Sequence, residues 1–299
     1  MIIIHVMGGL GNQLYQYALY EKLKSLGKQV KLDLYAYKEA AGEDRERRAL
    51  ELEWLDGMQY EVCTADERRL FLDNSMRFAD RVRRKLTGRR DKTVMENADY
   101  MPEIFEMDDV YLYGFWGCER YYIDIIPLLQ EKIRFPKNAD PRNQELLETM
   151  EHVNAVGIHI RRKDYLTVAD GKRYMGICTD AYYASAVDYI SERVENPVFY
   201  IFSDDAAYAK AHYNQENMRV VDWNVGRESL HDMELMSRCR HNICANSTFS
   251  IWGARLNRNP GRIAVRPLHH DNYEVSDAQT VHENWPGWTL IDPAGHVAY

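Results

Sequence analysis

The sequence predicts an α/β protein of two domains, each built on a parallel sheet. Three observations carry this. The second half alternates short, wholly apolar runs with amphipathic helical stretches, the pattern of strands covered on both faces by helices. The N-terminus reads as strand, glycine turn, helix and strand in succession, a βαβ unit. The length of 299 residues suits two domains of about 150 residues, each able to bury its own core.

The elements follow in order. Ile2–Val6 is too short for a helix and rich in β-branched residues, so it is a strand. It stops at Gly8-Gly9-Leu10-Gly11. From Asn12 to Leu26, Leu14, Tyr15, Ala18, Leu19, Leu23 and Leu26 recur at helical spacing, with Gly27 placed to cap the C-terminus. Val30–Leu34 alternates and forms the next strand. Between Tyr37 and Pro136 the pattern weakens. Gly42–Arg48 is highly charged, and Arg81–Lys92 holds seven basic residues and one acid, Asp91. Tyr111, Tyr113, Phe115, Trp116, Tyr121 and Tyr122 then cluster around Gly114 and Gly117. Pro136, Pro141 and a charged helix from Asn143 to Glu151 mark the linker, giving domains 1–150 and 151–299.

The second domain is more regular. Strands are expected at Val156–Ile160, Val198–Phe202, Arg219–Val221, Asn242–Ala245 and, last, Arg262–Val265. Helices are expected at Ala181–Val194, from Ala206, at Ser229–Ser237 and at Phe249–Leu256. Ligands of such doubly wound domains lie off the C-terminal strand ends.

Composition limits the function. The chain is 28% charged and 45% hydrophobic, an ordinary globular balance, and 46 acidic against 38 basic side chains leave a net charge of −8. That balance argues against broad electrostatic binding of nucleic acid. No run of ~18 apolar residues could span a membrane. The first residues lack a basic flank and a cleavage site, so they are expected to be a strand and not a signal peptide. Five cysteines, odd in number and mostly far apart, suit a reducing compartment, so a cytoplasmic location is expected. The plainer reading of the basic run 81–92 is a solvated helix face; the alternative is peripheral docking on the inner membrane surface.

The strand ends carry the chemistry. The first strand of the second domain ends in His159-Ile160-Arg161-Arg162-Lys163-Asp164-Tyr165. Side chains alternate, so His159 and Arg161 share a face and Arg162 points the other way. Adjacent guanidiniums at a ligand edge suit a phosphate, because the planar charged fork matches its oxygens. The bland alternative is a surface pair bridged to Asp164 or Asp170. The next strand ends in Ser203-Asp204-Asp205, suited to ribose or guanine N–H groups, to a divalent metal, or simply to capping a helix. Metal is redundant beside two arginines. Asn246-Ser247-Thr248-Phe249-Ser250 opens a helix, where free N–H groups and hydroxyls make either an anion cradle or a plain cap. The loop Gly8–Gln13 lets backbone approach a ligand, with Asn12 able to donate and accept, yet it fits neither a P-loop nor a dinucleotide fingerprint. Cys239, His241 and Cys244 lack a fourth zinc ligand, and His269 and His270 are expected to face solvent.

Together GGLGNQLYQYA at the N-terminus, HIRRKDY at 159–165, FYIFSDD at 199–205 and ANSTFSIWGARL at 245–256 resemble the α-1,2-fucosyltransferase family, bacterial members especially. Lys163 departs from the small residue more usual there. The resemblance implies two facing Rossmann-like domains of the GT-B type. It also implies inverting transfer of L-fucose from GDP-fucose, without a metal or other cofactor, to a galactose-terminated glycan acceptor. It places Arg161 on the diphosphate with Arg162 in support, and His159 with Asp204 or Asp205 on the guanosine. Ser247, Thr248, Phe249 and Ser250 would cradle phosphate and nucleoside, and Asn12, with the Gly9 and Gly11 backbone, would reach the fucose–phosphate region from across the cleft. Asp164 is either the proton acceptor or a pin for Arg161 or Arg162. Two other classes stay open on the residues alone: a dinucleotide-dependent oxidoreductase, and a non-catalytic sugar-binding protein using the Tyr111–Tyr122 aromatics.

Overall fold

The apolar residues that open the chain form an inner strand of a first parallel sheet, with Ile2, Ile3 and Ile4 fully buried. The computed structural model describes residues 1–38, 49–97, 99–167, 171–274 and 276–299; the charged stretch Gly42–Arg48 lies outside them. Two units result, Met1–Lys132 and Ile133–Tyr299.

The first unit contains β1 (Ile2–His5), α1 (Leu10–Ser25), β2 (Val30–Asp33), α2 (Tyr35–Lys38), α3 (Ala65–Leu72) and α4 (Phe78–Thr87). It continues with β3 (Thr93–Met95), β4 (Tyr111–Tyr113) and α5 (Ile126–Lys132). The sheet order is β2-β1-β4-β3, every pair parallel, with Ile2 opposite Val30 and Ile3 opposite Tyr111. Helix α1 starts two residues before its expected position. It buries Leu14, Tyr17, Leu19, Tyr20 and Leu23 on several faces, which fits a helix enclosed by its unit. It ends as expected at Gly27, whose φ of +78° needs no Cβ. Helix α3 is fixed by a capping box between Thr64 and Glu67.

The second unit contains α6 (Pro141–Glu151), β5 (Asn154–Ile160), α7 (Lys163–Thr167), α8 (Gly171–Tyr174), α9 (Asp180–Ser191), β6 (Pro197–Ser203), α10 (Ala206–His212) and β7 (Met218–Val221). There follow α11 (Leu230–Arg238), β8 (His241–Ile243), α12 (Thr248–Leu256), β9 (Ala264–Pro267), α13 (Ala278–Asn284) and β10 (Thr289–Ile291). All six strands are parallel in the order β10-β9-β8-β5-β6-β7. The chain winds outward from β5 to β7, returns to β8, and winds outward again to β10. The winding reverses between β5 and β8, and a doubly wound sheet opens its ligand crevice outside the strand ends at that point.

Two expectations are corrected. The division between units falls at Lys132/Ile133 and not at 150/151. The physical reason is α6: it buries Met150 and Asn143, and the Asn143 amide donates to Asn224 at 2.8 Å, so residues 133–150 belong with the second core. The last strand is β10, not the one near Arg262. At three residues, β10 is too short to show a period.

Candidate functional site

At the reversal point, Ile158 of β5 lies opposite Ile243 of β8. The two segments beyond, 159–165 and 244–250, therefore leave the sheet side by side. Tyr165 ties them, its hydroxyl donating to the Asn246 carbonyl at 2.8 Å. Asn246 is buried, and its amide donates to the carbonyls of Tyr174 and His270, both at 3.0 Å. Tyr165 stacks on Tyr174 with ring centres 5.3 Å apart. The sequence reading missed Tyr165 as an anchor, although it closes the HIRRKDY segment.

Arg161 is half-buried, 25% exposed, and its Nε sits 3.4 Å from the Asp204 carboxylate at the end of β6. The other Asp204 oxygen accepts the Arg162 backbone N–H at 2.8 Å. Arg162 points the other way, as alternation predicts: it lies over the Tyr208 ring at 4.2 Å, its Nε 3.6 Å from Asp205. Asp205 caps α10 by accepting the Tyr208 N–H at 3.3 Å. Asp204 and Asp205, one of which is expected on the guanosine, face the arginines and the backbone.

His159 is buried on β5, its carbonyl accepting the Tyr183 hydroxyl at 2.9 Å. Its ring lies 5.7 Å from that of Phe249, and its Nδ1 has no hydrogen-bond partner among the described residues. Burial, helped by the Arg161 charge, lowers its pKa to about 3, so the imidazole is neutral. Ser247 is the N-cap of α12 and makes no side-chain cap bond. Ser250, the last residue of the expected cradle, is buried, its hydroxyl donating to the Ser247 carbonyl at 3.1 Å. The half-buried Ser247, Thr248 and Phe249 stay at the crevice. Asp164 lies on α7, and its side chain is outside the described part of the chain.

Asn12, Gly9 and Gly11 belong to the first unit. The glycine that the turn requires is Gly8, at φ +80°, where a Cβ would come within 2.5 Å of the Asn12 amide. Gly11 is instead buried inside α1, and Gly9 is its N-cap at an ordinary φ of −87°. Asp33, which closes β2, is fully buried and accepts from the hydroxyl of Tyr111, which opens β4, at 2.5 Å and from Arg68 Nε of α3 at 2.8 Å. His5 Nδ1 sits 2.9 Å from the same hydroxyl. Burial would raise the Asp33 pKa, but these hydrogen bonds and the Tyr35 N–H hold it at about 2. His5 and Asp33 close β1 and β2, whereas Tyr111 opens β4, a strand that no pattern in the sequence marks.

Asp232 on α11 accepts from the Asn224 amide at 2.8 Å, and burial raises its carboxyl to about 7. His270 is corrected from solvent-facing: it packs edge-on against Tyr174, and burial lowers its pKa to about 4. Cys239 and Cys244 are buried thiols, and His241 Nδ1 accepts the Ile263 N–H at 3.0 Å. Among the described residues no group of three or more His, Cys, Asp or Glu could hold a metal ion, and no helix is long and apolar enough to cross a membrane.

Residues 97–289 match the profile of glycosyl transferase family 11. The chain is 31% identical over 295 residues to an α-1,2-colitosyltransferase of Escherichia coli, covering 95% of this chain and 98% of that protein. It is 30% identical over 281 residues to an O-antigen biosynthesis glycosyltransferase of Escherichia coli, covering 87% and 91%. A stretch of 104 residues, 34% of this chain and 28% of the relative, is 34% identical to a galactoside 2-α-L-fucosyltransferase of Bos taurus.

Proposed function

Because this chain belongs to glycosyl transferase family 11, we propose that it transfers L-fucose from GDP-fucose to the 2-hydroxyl of a galactose residue on an oligosaccharide or lipid-linked glycan, with inversion at the anomeric carbon. The observation that carries this reading is Arg161, half-buried and held by Asp204, on the segment that leaves β5 alongside the one that opens α12.

The chemistry follows from charge. As the bond from the sugar to the diphosphate breaks, positive charge grows on the sugar and negative charge on the departing GDP. A fixed guanidinium and unpaired helix N–H groups bind that growing charge more tightly than the ground state, which lowers the barrier. Arg161 and the α12 N-terminus supply this charge, so the reading requires no metal and no other cofactor. Neutral His159 and Phe249 offer the nucleoside a flat surface, and Ser247 and Thr248 offer hydroxyls to phosphate. Asp164 is assigned as the proton acceptor for the attacking hydroxyl.

The colitosyltransferase relative favours one second reading, in which the donor sugar is colitose, which lacks the 3-hydroxyl of fucose. GDP release by the purified chain, with each GDP-sugar offered beside a galactoside and its 2-deoxy analogue, separates the two. Release that needs the 2-hydroxyl and prefers GDP-fucose supports the first reading, and preference for GDP-colitose supports the second. No acceptor-dependent release with either donor ends both. Undiminished rates in excess chelator are also expected, and their loss would end the metal-free account.

A further inference from the structure

Helix α4 is amphipathic the wrong way round for a helix that covers a core. Phe78, Val82 and Leu86, spaced four residues apart, form one stripe along it, and they are 81%, 39% and 79% exposed. Met76, just ahead of the helix, is 78% exposed. The polar side holds the helix to its unit. Arg83 and Arg84 both reach the buried Asp73, Arg84 also donates to the Ser75 carbonyl at 2.5 Å, and Asp80 accepts from the Ser75 hydroxyl at 2.6 Å. With its charges turned inward, the helix presents its apolar stripe outward, and no residue of α4 is buried.

Cations border that stripe. Arg81 and Lys85 are exposed along its edge, and Arg77, Arg89 and Arg90 are exposed at the helix ends. The chain as a whole carries −8, so these cations are concentrated here against the general balance. A second copy is a poor occupant, because a symmetric contact would set like charges against each other. Nucleic acid would meet the cations but leave the apolar stripe uncovered. A bilayer with anionic headgroups meets both demands.

We propose that α4 docks the first unit on an anionic bilayer surface, with Phe78, Val82 and Leu86 among the acyl chains and Arg81 and Lys85 on the lipid phosphates. The inference is independent of the donor and the reaction. It tests by sedimentation of the full chain with phosphatidylcholine vesicles, with and without phosphatidylglycerol, at low and high salt. The expected result is binding that needs phosphatidylglycerol, weakens in salt, and falls at least ~10-fold in both Phe78→Ser/Leu86→Ser and Arg81→Glu/Lys85→Glu. Both pairs replace exposed side chains, so unchanged thermal melting is expected to accompany the loss. Failure to bind any vesicle, equal binding to neutral vesicles, or binding that Phe78→Ser/Leu86→Ser leaves intact overturns the proposal. Lipid-free self-association that this same pair abolishes also overturns it, in favour of a second copy.

Discussion

Arg161 stands at the centre of the site's charge balance, and Asp204 sets its direction. Removing the guanidinium strips a half-buried cation from the place where a diphosphate is proposed to sit. Arg161→Ala is expected to weaken GDP binding by roughly 2–5 kcal/mol, measured by calorimetry. Asp204→Asn acts through Arg161, so its smaller loss is expected to vanish in the Arg161→Ala background. Two full, additive losses would show Asp204 working on its own. His159 gives a pH prediction with a definite sign. Its folded pKa of about 3 lies below the ordinary 6.5, so the folded state resists protonation, and stability falls as pH drops from 6.5 toward 3. His159→Gln is expected to flatten that fall by up to ~1.4 kcal/mol per pH unit in urea melts. An unchanged pH dependence would mean the imidazole is not held neutral.

At the scale of elements, the second unit depends on how closely α12 lies on α11. Gly253 permits this contact: a Cβ there would come within 2.9 Å of the Met236 side chain. Gly253→Val is therefore expected to destabilise by ~1–3 kcal/mol through overpacking, and to loosen the α12 N-terminus that faces the crevice. A denaturant midpoint equal to that of the parent would rule out the close contact. Elements were legible where the sequence had a long enough pattern. Strands β5 and β6 have seven residues each, mostly apolar, and their positions follow within two residues. Strands β3, β4, β8 and β10 have three residues each, fewer than any periodicity can mark; β8 is legible only because the apolar Ile243–Ala245 run overlaps it, and β4 shows only as part of an aromatic cluster. Helix α4 shows the complementary limit. Its basic residues were plain, but which face they turned to the protein depended on Asp73, which sits outside the helix.

Across the whole molecule, the nucleotide is proposed to bind the second unit. Hydrogen exchange with and without GDP is expected to show its strongest protection in segments 159–166, 203–208 and 245–251. Protection centred in residues 1–132 would move the nucleotide to the first unit. Charge is also unevenly spread: a chain of net −8 carries its densest basic run on and just after one helix of the first unit, so the binding of donor and of bilayer are expected to be separable by mutation.

By itself the sequence determined the parallel α/β class, the order of the long elements, and the four segments that mark the family, because periodicity, strand ends and short motifs are local properties. It also placed Arg161, Arg162, Asp204, Ser247 and Phe249 at the C-terminal edge of one sheet, since parallel strands all end on the same side; which of those ends are neighbours came from the strand order in the structure. Only the tertiary structure decided what each polar group faces. It turned Asp204 and Asp205 to the arginines, Ser250 inward and Asn246 into an anchor, and it exposed the apolar stripe of α4. The turns of Asp204 and Asn246 depend on partners far along the chain, Arg161 and Tyr165, and even nearby partners such as Asp73 for α4 are met by distance in space, not by spacing in sequence.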